Sequence, residues 1–307
     1  MDAQTPERMT LGKSDLHISP LGMGTNAWGF SRRGDPEKQS VFDAALEAGI
    51  NFIDTAEIYS MGGSELTVGM ALQKPHAHVI IATKFFPYPW RFIKSSLTAA
   101  LRSSLKRLGL PKVDLYILHF PVPPVPLTTW VEGLADVYEA GLTRAVGISN
   151  CNAAQTSWAH DILRRRGIPL ASNQVEFSLL TRKAERNELL DTCRELGVTL
   201  VGYRPLGYGI LTGKYKPEDL PARLHMRTVT PDDLKKATPT IELLREFGQK
   251  YEKSPSQVAL NWIICKGVVP IPGAKNPKQA TENAGAMGWR LEAAEIEALD
   301  KASDSLS

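Results

Sequence analysis

Three apolar runs each end in a side chain that can hold or move a proton. The stretch "GINFIDTAEIYS" carries Ile50, Phe52 and Ile53 into Asp54, and Tyr59 follows on the next loop. The run "HVIIATK" ends in Lys84, and "DLYILH" ends in His119. A buried carboxylate without a partner is costly, so Asp54 needs a cation, and Lys84 can supply it. A phenol has a pKa of about 10 and is a poor acid near neutrality. A nearby ammonium favours phenolate and brings Tyr59 closer to a useful range. His119 can polarise or orient a substrate oxygen. A tyrosine acid flanked by lysine and histidine suits carbonyl reduction, where a proton must reach the new alkoxide. Each residue alone has a plainer explanation: a turn carboxylate, a solvated lysine tip, a structural histidine. Together at successive run ends they form a constellation.

Such groups converge only if their strands are neighbours. Short apolar bursts recur eight times: "LGMGT" near Gly24, "NFIDT", "HVIIATK", "DLYILH", "RAVGIS", "ASNQV", "VTLVGY" and "VVPIPG". Each is β-branched or continuously apolar, as parallel strands buried on both faces should be. Between them lie segments of helical spacing. "PEKQSVFDAALEAG" starts with proline in its first turn and stops at glycine, and "SSLTAALRSSLKRLG", "TTWVEGLADVYEAG" and "RKAERNELLDTCRELG" also end on glycine. The alternation predicts a (β/α)8 TIM barrel, one domain over residues 1–307, with its chemistry at the C-terminal strand ends. "MTLGKSDLHISPLG" reads as an N-terminal β-hairpin plugging the barrel floor, and "LGYGILTGKYKPEDLPARLHMRTVTPDD" as a long functional loop. Two extra C-terminal helices are expected at 277–284 and about 291–303. A doubly wound sheet is the alternative, since "GMGTNA" fits a loose dinucleotide fingerprint. The following "WGFSRRGDP" offers no helix to receive a pyrophosphate, so that reading is rejected.

The totals exclude other classes. The chain has 307 residues and a net charge of +3, with acids and bases interspersed, so no basic footprint points to nucleic acid. No apolar stretch reaches the length of a membrane span. Cys151, Cys193 and Cys265 are odd in number and far apart, giving neither a disulfide framework nor metal-ligand spacing. No apolar signal-peptide region opens the chain. A cytoplasmic protein is expected, or a plastid one if a transit peptide was removed.

The chain resembles the aldo-keto reductase superfamily. The resemblance rests on "GINFIDTAEIYS", "ATKF", "VDLYILHF", "VGISN", "NQVEFSLL", "PLGYGILTGKY" and "PIPGAKNPKQATENAGAMGWRL", in order over nearly the whole chain. It is nearest to bacterial and plastid-type members. The resemblance implies a catalytic tetrad of Asp54, Tyr59, Lys84 and His119, with Tyr59 as general acid. It also implies NADPH bound extended without a Rossmann motif, and reversible reduction of an aldehyde or ketone to an alcohol.

The other strand ends are then expected to bind that cofactor. Ser149, Asn150 and Gln174 can hydrogen-bond a carboxamide, and by resemblance they hold the nicotinamide amide, with Tyr203 stacked on its ring. Gly24, Thr25 and Asp54 belong to the same implied set. In "PLGYGILTGK", with Pro205, Leu206, Gly207, Leu211 and Gly213, the glycines allow close backbone approach and Lys214 suits the pyrophosphate. "GAKNP", with Gly273, leads into a helix whose N-cap is Asn276 and whose first residue is Pro277. A helix N-terminus attracts anions, and Lys275 beside it suggests the 2′-phosphate of NADPH. Gln279, Glu282 and Asn283 follow where the family contacts phosphate and adenine. Three residues depart from the family pattern: Arg204 replaces a small residue, Gln279 an arginine of some branches, and Phe177 a common tyrosine.

Trp28, Phe85, Phe86, Tyr88, Trp90 and Phe120 lie beyond the first, third and fourth bursts. As a group they predict a pocket for an apolar or aromatic carbonyl compound. That small molecule is the expected partner of a monomer or small homo-oligomer. Two rivals remain at this point: a Schiff-base aldolase using Lys84, and an NADPH-binding regulatory subunit without turnover.

Overall fold

The computed structural model describes residues 7–29, 35–74, 76, 78–216 and 230–306. Residues 217–229 of the predicted long loop lie outside them. The chain opens with a small antiparallel hairpin, β1 (Met9–Thr10) and β2 (His17–Ile18), paired Met9 to Ile18. Eight parallel strands follow: β3 (Met23–Gly24), β4 (Phe52–Asp54), β5 (Ile80–Phe85), β6 (Val113–Leu118), β7 (Thr143–Ser149), β8 (Leu170–Glu176), β9 (Thr199–Tyr203) and β10 (Val269–Pro270). Each pairs with the next in chain order. The ring closes where the Gly22 and Gly24 N–H groups donate to Pro270 and Pro272 carbonyls at 2.9 and 3.0 Å, and Gly24 bridges Gly273. A Cβ on Gly24 would stand 3.0 Å from the Ile271 carbonyl oxygen, so glycine lets the first and last strands approach. Every predicted burst holds one barrel strand.

Side chains alternate along a strand, so each barrel strand feeds two cores. Phe52, Leu115, Ile117, Val201 and Ile271 fill the barrel. Ile53, Tyr116, Leu118 and Val146 face the helices. The hairpin plugs the interior from the N-terminal end, with Leu11, Leu16 and Ile18 packed on the inward residues. The Gly12 N–H donates to Thr199 Oγ1 at 2.7 Å, and a Cβ there would strike the Ala171 carbonyl.

The helical layer is α1 (Pro36–Glu47), α2 (Gly63–Ala71), α3 (Ser95–Leu108), α4 (Leu127–Glu139), α5 (Ala153–Arg164), α6 (Lys183–Arg186), α7 (Leu189–Leu196), α8 (Pro231–Tyr251), α9 (Pro255–Cys265), α10 (Pro277–Ala284) and α11 (Ala293–Ala302). The segment "RKAERNELLDTCRELG", read as one helix, is two, broken at Asn187 and at Glu188, whose φ is +65°. A left-handed residue cannot continue an α-helix. Of the two helices after β10, α10 packs between α9 and α1, while α11 packs on α8. Among the described residues no helix is long and apolar enough to cross a membrane, and no three His, Cys, Asp or Glu side chains gather as a metal site.

Candidate active site

The pleat aims the four proton-handling groups. Phe52 points into the barrel, so Asp54, two residues on, does too. Ala82 and Ile117 point inward, and the same parity turns Lys84 and His119 toward the mouth. Lys84 is wholly buried and its ammonium makes three hydrogen bonds: to Asp54 Oδ1 at 2.5 Å, to the Thr55 carbonyl at 2.8 Å and to Tyr59 Oη at 3.3 Å. Tyr59 itself sits in a tight turn in which Ser60 and Met61 are left-handed, with φ of 49° and 51°. His119 meets the Tyr59 ring edge-on at 5.8 Å and stacks on Phe120 at 4.9 Å. Its Nδ1 has no partner among the described residues.

Electrostatics correct the expectation that the ammonium brings the Tyr59 phenol down toward neutrality. Burial raises the phenol above its ordinary range, and the Lys84 ammonium opposes this without overcoming it. Tyr59 is therefore fully protonated at neutral pH, which is what a proton donor requires. Burial works to lower the Lys84 pKa, but the Asp54 charge outweighs it and the net direction is up. His119 is pushed down to about 2, by burial first and by the Lys84 charge second, so it is a neutral imidazole.

The amide-bearing residues stand opposite. Ser149 Oγ donates to the Gln174 carbonyl at 2.7 Å, and Asn150, left-handed at φ +59°, donates through Nδ2 to Ser149 Oγ and the His119 carbonyl, both at 3.0 Å. Tyr203 Oη donates to Asn150 Oδ1 at 3.0 Å, and burial, helped by Glu176, pushes its phenol up to about 12. Arg204, left-handed at φ +53°, lies 4.7 Å from the Tyr208 ring centroid and pairs with Glu176 at 3.3 Å. From there the backbone passes Pro205 and Leu206 into a run of left-handed residues, Gly207, Tyr208 and Gly209. Leu211 is buried; Gly213, left-handed again at φ +69°, closes this short helical segment, and the exposed Lys214 ammonium lies 4.8 Å from the Tyr215 ring centroid.

At the eighth strand, Asn276 caps α10 by accepting from the Gln279 N–H at 3.0 Å. Lys275 is exposed, and Lys38 Nζ donates to its carbonyl at 3.2 Å. Gln279 Oε1 accepts from the Lys275 N–H, Glu282 accepts from Ser254 Oγ, and Asn283 donates to the Gly273 carbonyl.

Some predicted residues face elsewhere. Phe85 follows inward Lys84, so the pleat turns it outward, where it packs on Trp130 at 4.9 Å and not in the pocket. Trp28 is buried against Phe42, and its Nε1 donates to the Ala274 carbonyl at 3.1 Å, tying the first loop to the last. Thr25 turns toward α2: its Oγ1 donates to the Asp54 carbonyl at 3.0 Å and meets Ser64 Oγ at 2.8 Å. Phe86, by contrast, lies edge-on to His119 at 5.8 Å. Tyr88 follows at 4.8 Å, with Trp90 stacked on it at 4.7 Å.

Sequence reasoning missed Glu57. It is buried within "TAEIY", accepts from the Phe86 N–H at 2.7 Å and pairs with Arg91, whose guanidinium lies 4.8 Å from the Phe85 ring centroid. This clamp joins the Tyr59 loop to the Phe86 loop. A second carboxylate so close to Asp54 in an apolar run, with an arginine among the later aromatics, was the available signal.

Known proteins share this fold and much of this sequence. The sequence model of the Aldo/keto reductase family matches residues 20–304. A chloroplastic pyridoxal reductase of Arabidopsis thaliana is 40% identical over 299 residues, covering 90% of this chain and 80% of that protein. The solved structure of a thermostable aldo-keto reductase bound to the inhibitor epalrestat superposes with a TM-score of 0.80 at 29% identity, covering 96% of this chain and 99% of that one. A glycerol dehydrogenase from Gluconobacter oxydans gives 0.87 at 25% identity, covering 97% and 95%. A match along nearly the whole barrel, strand ends included, places the chain in the aldo/keto reductase family.

Proposed function

We propose that the protein reduces an apolar or aromatic aldehyde or ketone to the alcohol, reversibly and with NADPH. Membership of the family makes it an oxidoreductase of carbonyl chemistry with a nicotinamide cofactor. The observation that carries the finer reading is the third hydrogen bond of Lys84, spent on Tyr59 Oη while Asp54 holds the ammonium from behind.

The chain's own groups suit the proton half of the reaction. Tyr59 Oη gives its proton to the substrate oxygen, and the phenolate left behind faces the Lys84 ammonium. Asp54 keeps Lys84 charged in a buried position. His119, being neutral, donates a hydrogen bond to the carbonyl oxygen without carrying charge into the site. NADPH when bound supplies the hydride. Its proposed holders fit an extended dinucleotide in order: Ser149, Asn150 and Gln174 for the amide, Tyr203 for the ring, glycine backbone and Lys214 for the pyrophosphate. The capped α10 with Lys275, Gln279, Glu282 and Asn283 suits the phosphorylated adenosine end.

The aromatic run from His119 through Phe86 and Tyr88 to Trp90 supports a flat apolar substrate. Pyridoxal, named for the Arabidopsis relative, is a first candidate of that kind. The test is NADPH oxidation at 340 nm across aldehydes, ketones, quinones, sugars and pyridoxal. Turnover favouring planar aromatic carbonyls is expected. Tight NADPH binding without turnover on any carbonyl would make the protein a regulatory subunit, and borohydride trapping of substrate on Lys84 would make it an aldolase.

A further inference from the structure

We propose that Gln174 is a positioning residue for the proton donor: it reaches across the barrel mouth and fixes the Asp54 carboxylate, and through it Lys84 and Tyr59. The proposal rests on the function reading above and adds a role distinct from holding a cofactor.

β8 and β4 stand on opposite sides of the ring. Even so, Gln174 Nε2 donates to Asp54 Oδ2 at 2.9 Å, while Lys84 holds Oδ1 at 2.5 Å. Both ends of this bridge are buried. Among the described residues no other group donates to the carboxylate. A carboxylate held at one oxygen can turn about its broad terminal torsion, whereas one held at both is fixed in plane. Gln174 therefore sets which oxygen meets Lys84 and how squarely.

The consequence passes to Tyr59. Without Gln174, Oδ2 loses its donor in a buried place, and the carboxylate draws more strongly on Lys84, its one remaining partner. Of the three Lys84 hydrogen bonds, the one to Tyr59 is the longest and so the first to yield. The charged or titratable groups facing Tyr59 are Lys84 on β5, Asp54 on β4, His119 after β6, and Tyr203 and Arg204 at the end of β9. His119 is neutral, so Lys84 and Arg204 are the cations favouring the phenolate, and Gln174 acts on the nearer one. The bridge also limits what Gln174 offers a ligand: with Nε2 committed to Asp54, only its acceptor Oε1 is free to meet a carboxamide N–H.

The first test needs no turnover. In 15N-glutamine-labelled protein without cofactor, the Gln174 amide signal is identified by its loss in Gln174→Met. Slow exchange of that amide and a shift on Asp54→Asn are expected; exchange as fast as a free glutamine would overturn the proposal. The second test is kinetic. Gln174→Met should lower kcat at saturating NADPH by about 10–100-fold, the effect of losing a hydrogen bond to a charged group, over and above any rise in NADPH Kd from the lost Oε1 acceptor. Gln174→Glu should recover activity as pH falls, because a protonated Glu can donate to Asp54. A raised Kd with unchanged kcat would reduce Gln174 to a cofactor holder and overturn the proposal. A wild type inactive on every carbonyl would overturn the function reading, and the proposal with it, while the amide exchange would still report the bridge.

Discussion

Lys84 Nζ stands 3.3 Å from Tyr59 Oη, the longest of the three hydrogen bonds its ammonium makes. The other two go to Asp54 and to the Thr55 carbonyl, so the lysine is anchored by the strand end that precedes Tyr59 and spends its remaining proton on the phenol. Burial alone would leave Tyr59 a protonated but reluctant acid. The ammonium is what makes its phenolate tolerable.

Asp54→Asn removes the charge that holds the Lys84 pKa up against burial. Burial then dominates and lowers that pKa, so the lysine becomes neutral as pH rises. Tyr59 loses its ammonium in that range. The kcat–pH profile of the variant should therefore fall on its alkaline side at lower pH than the wild type. An unchanged profile, with chemistry rate-limiting, would count against a link from Asp54 through Lys84 to Tyr59.

His119 predicts a pH dependence of stability. Folded, it is pushed down to about 2; unfolded, a histidine titrates near about 6.5. Above the unfolded value both states are neutral and the residue contributes nothing. Below it only the unfolded chain takes the proton, so stability falls by about 1.4 kcal/mol per pH unit. Between about pH 6.5 and 4.5 the wild type should thus lose about 2.3 kcal/mol more than His119→Gln, since the unfolded histidine is already half protonated at the upper limit. Urea unfolding at the two pH values measures it, and parallel losses would show that His119 is protonated in the folded state.

Lys275 beside the capped α10 favours an anion that NADH lacks. A charge-assisted contact is worth about 1.5–3 kcal/mol, so NADPH should bind roughly 10–100-fold more tightly than NADH, less so in added salt. Lys275→Ala should weaken NADPH and leave NADH nearly unaffected in a fluorescence titration. A preference retained by the variant would move the role to Lys38, whose ammonium reaches the Lys275 carbonyl.

The aromatic run should matter most for flat substrates. Trp90 is 70% exposed yet stacked on Tyr88. Trp90→Ala should raise KM for aromatic aldehydes by several-fold and leave short aliphatic aldehydes almost unchanged. Equal effects on both series would place the substrate elsewhere.

The barrel was legible because parallel strands buried on both faces read as unbroken apolar bursts, and its floor plug because "MTLGKSDLHISPLG" alternates around a turn. Asp54, Lys84 and His119 were legible as strand ends. Phe85 and Phe86 were not separable by type: only the pleat, fixed by inward Lys84, sends one to Trp130 and the other to His119. The jobs of Trp28 and Thr25 depend on acceptors in distant or neighbouring loops, which no local pattern encodes. The bridge from Gln174 to Asp54 spans 120 residues of chain and exists only once the ring has closed.

Everything proposed for the chemistry depends on Tyr59 giving the proton. Tyr59→Phe keeps the ring and removes the hydroxyl, and general acid catalysis is typically worth about 10²–10⁴-fold. The decisive measurement is kcat for wild type and Tyr59→Phe on the best carbonyl substrate, with a primary isotope effect from 4-deuterated NADPH showing that hydride transfer limits both. A fall of at least about 100-fold is expected, with NADPH affinity nearly unchanged. Near wild-type turnover by the variant under those conditions would contradict it.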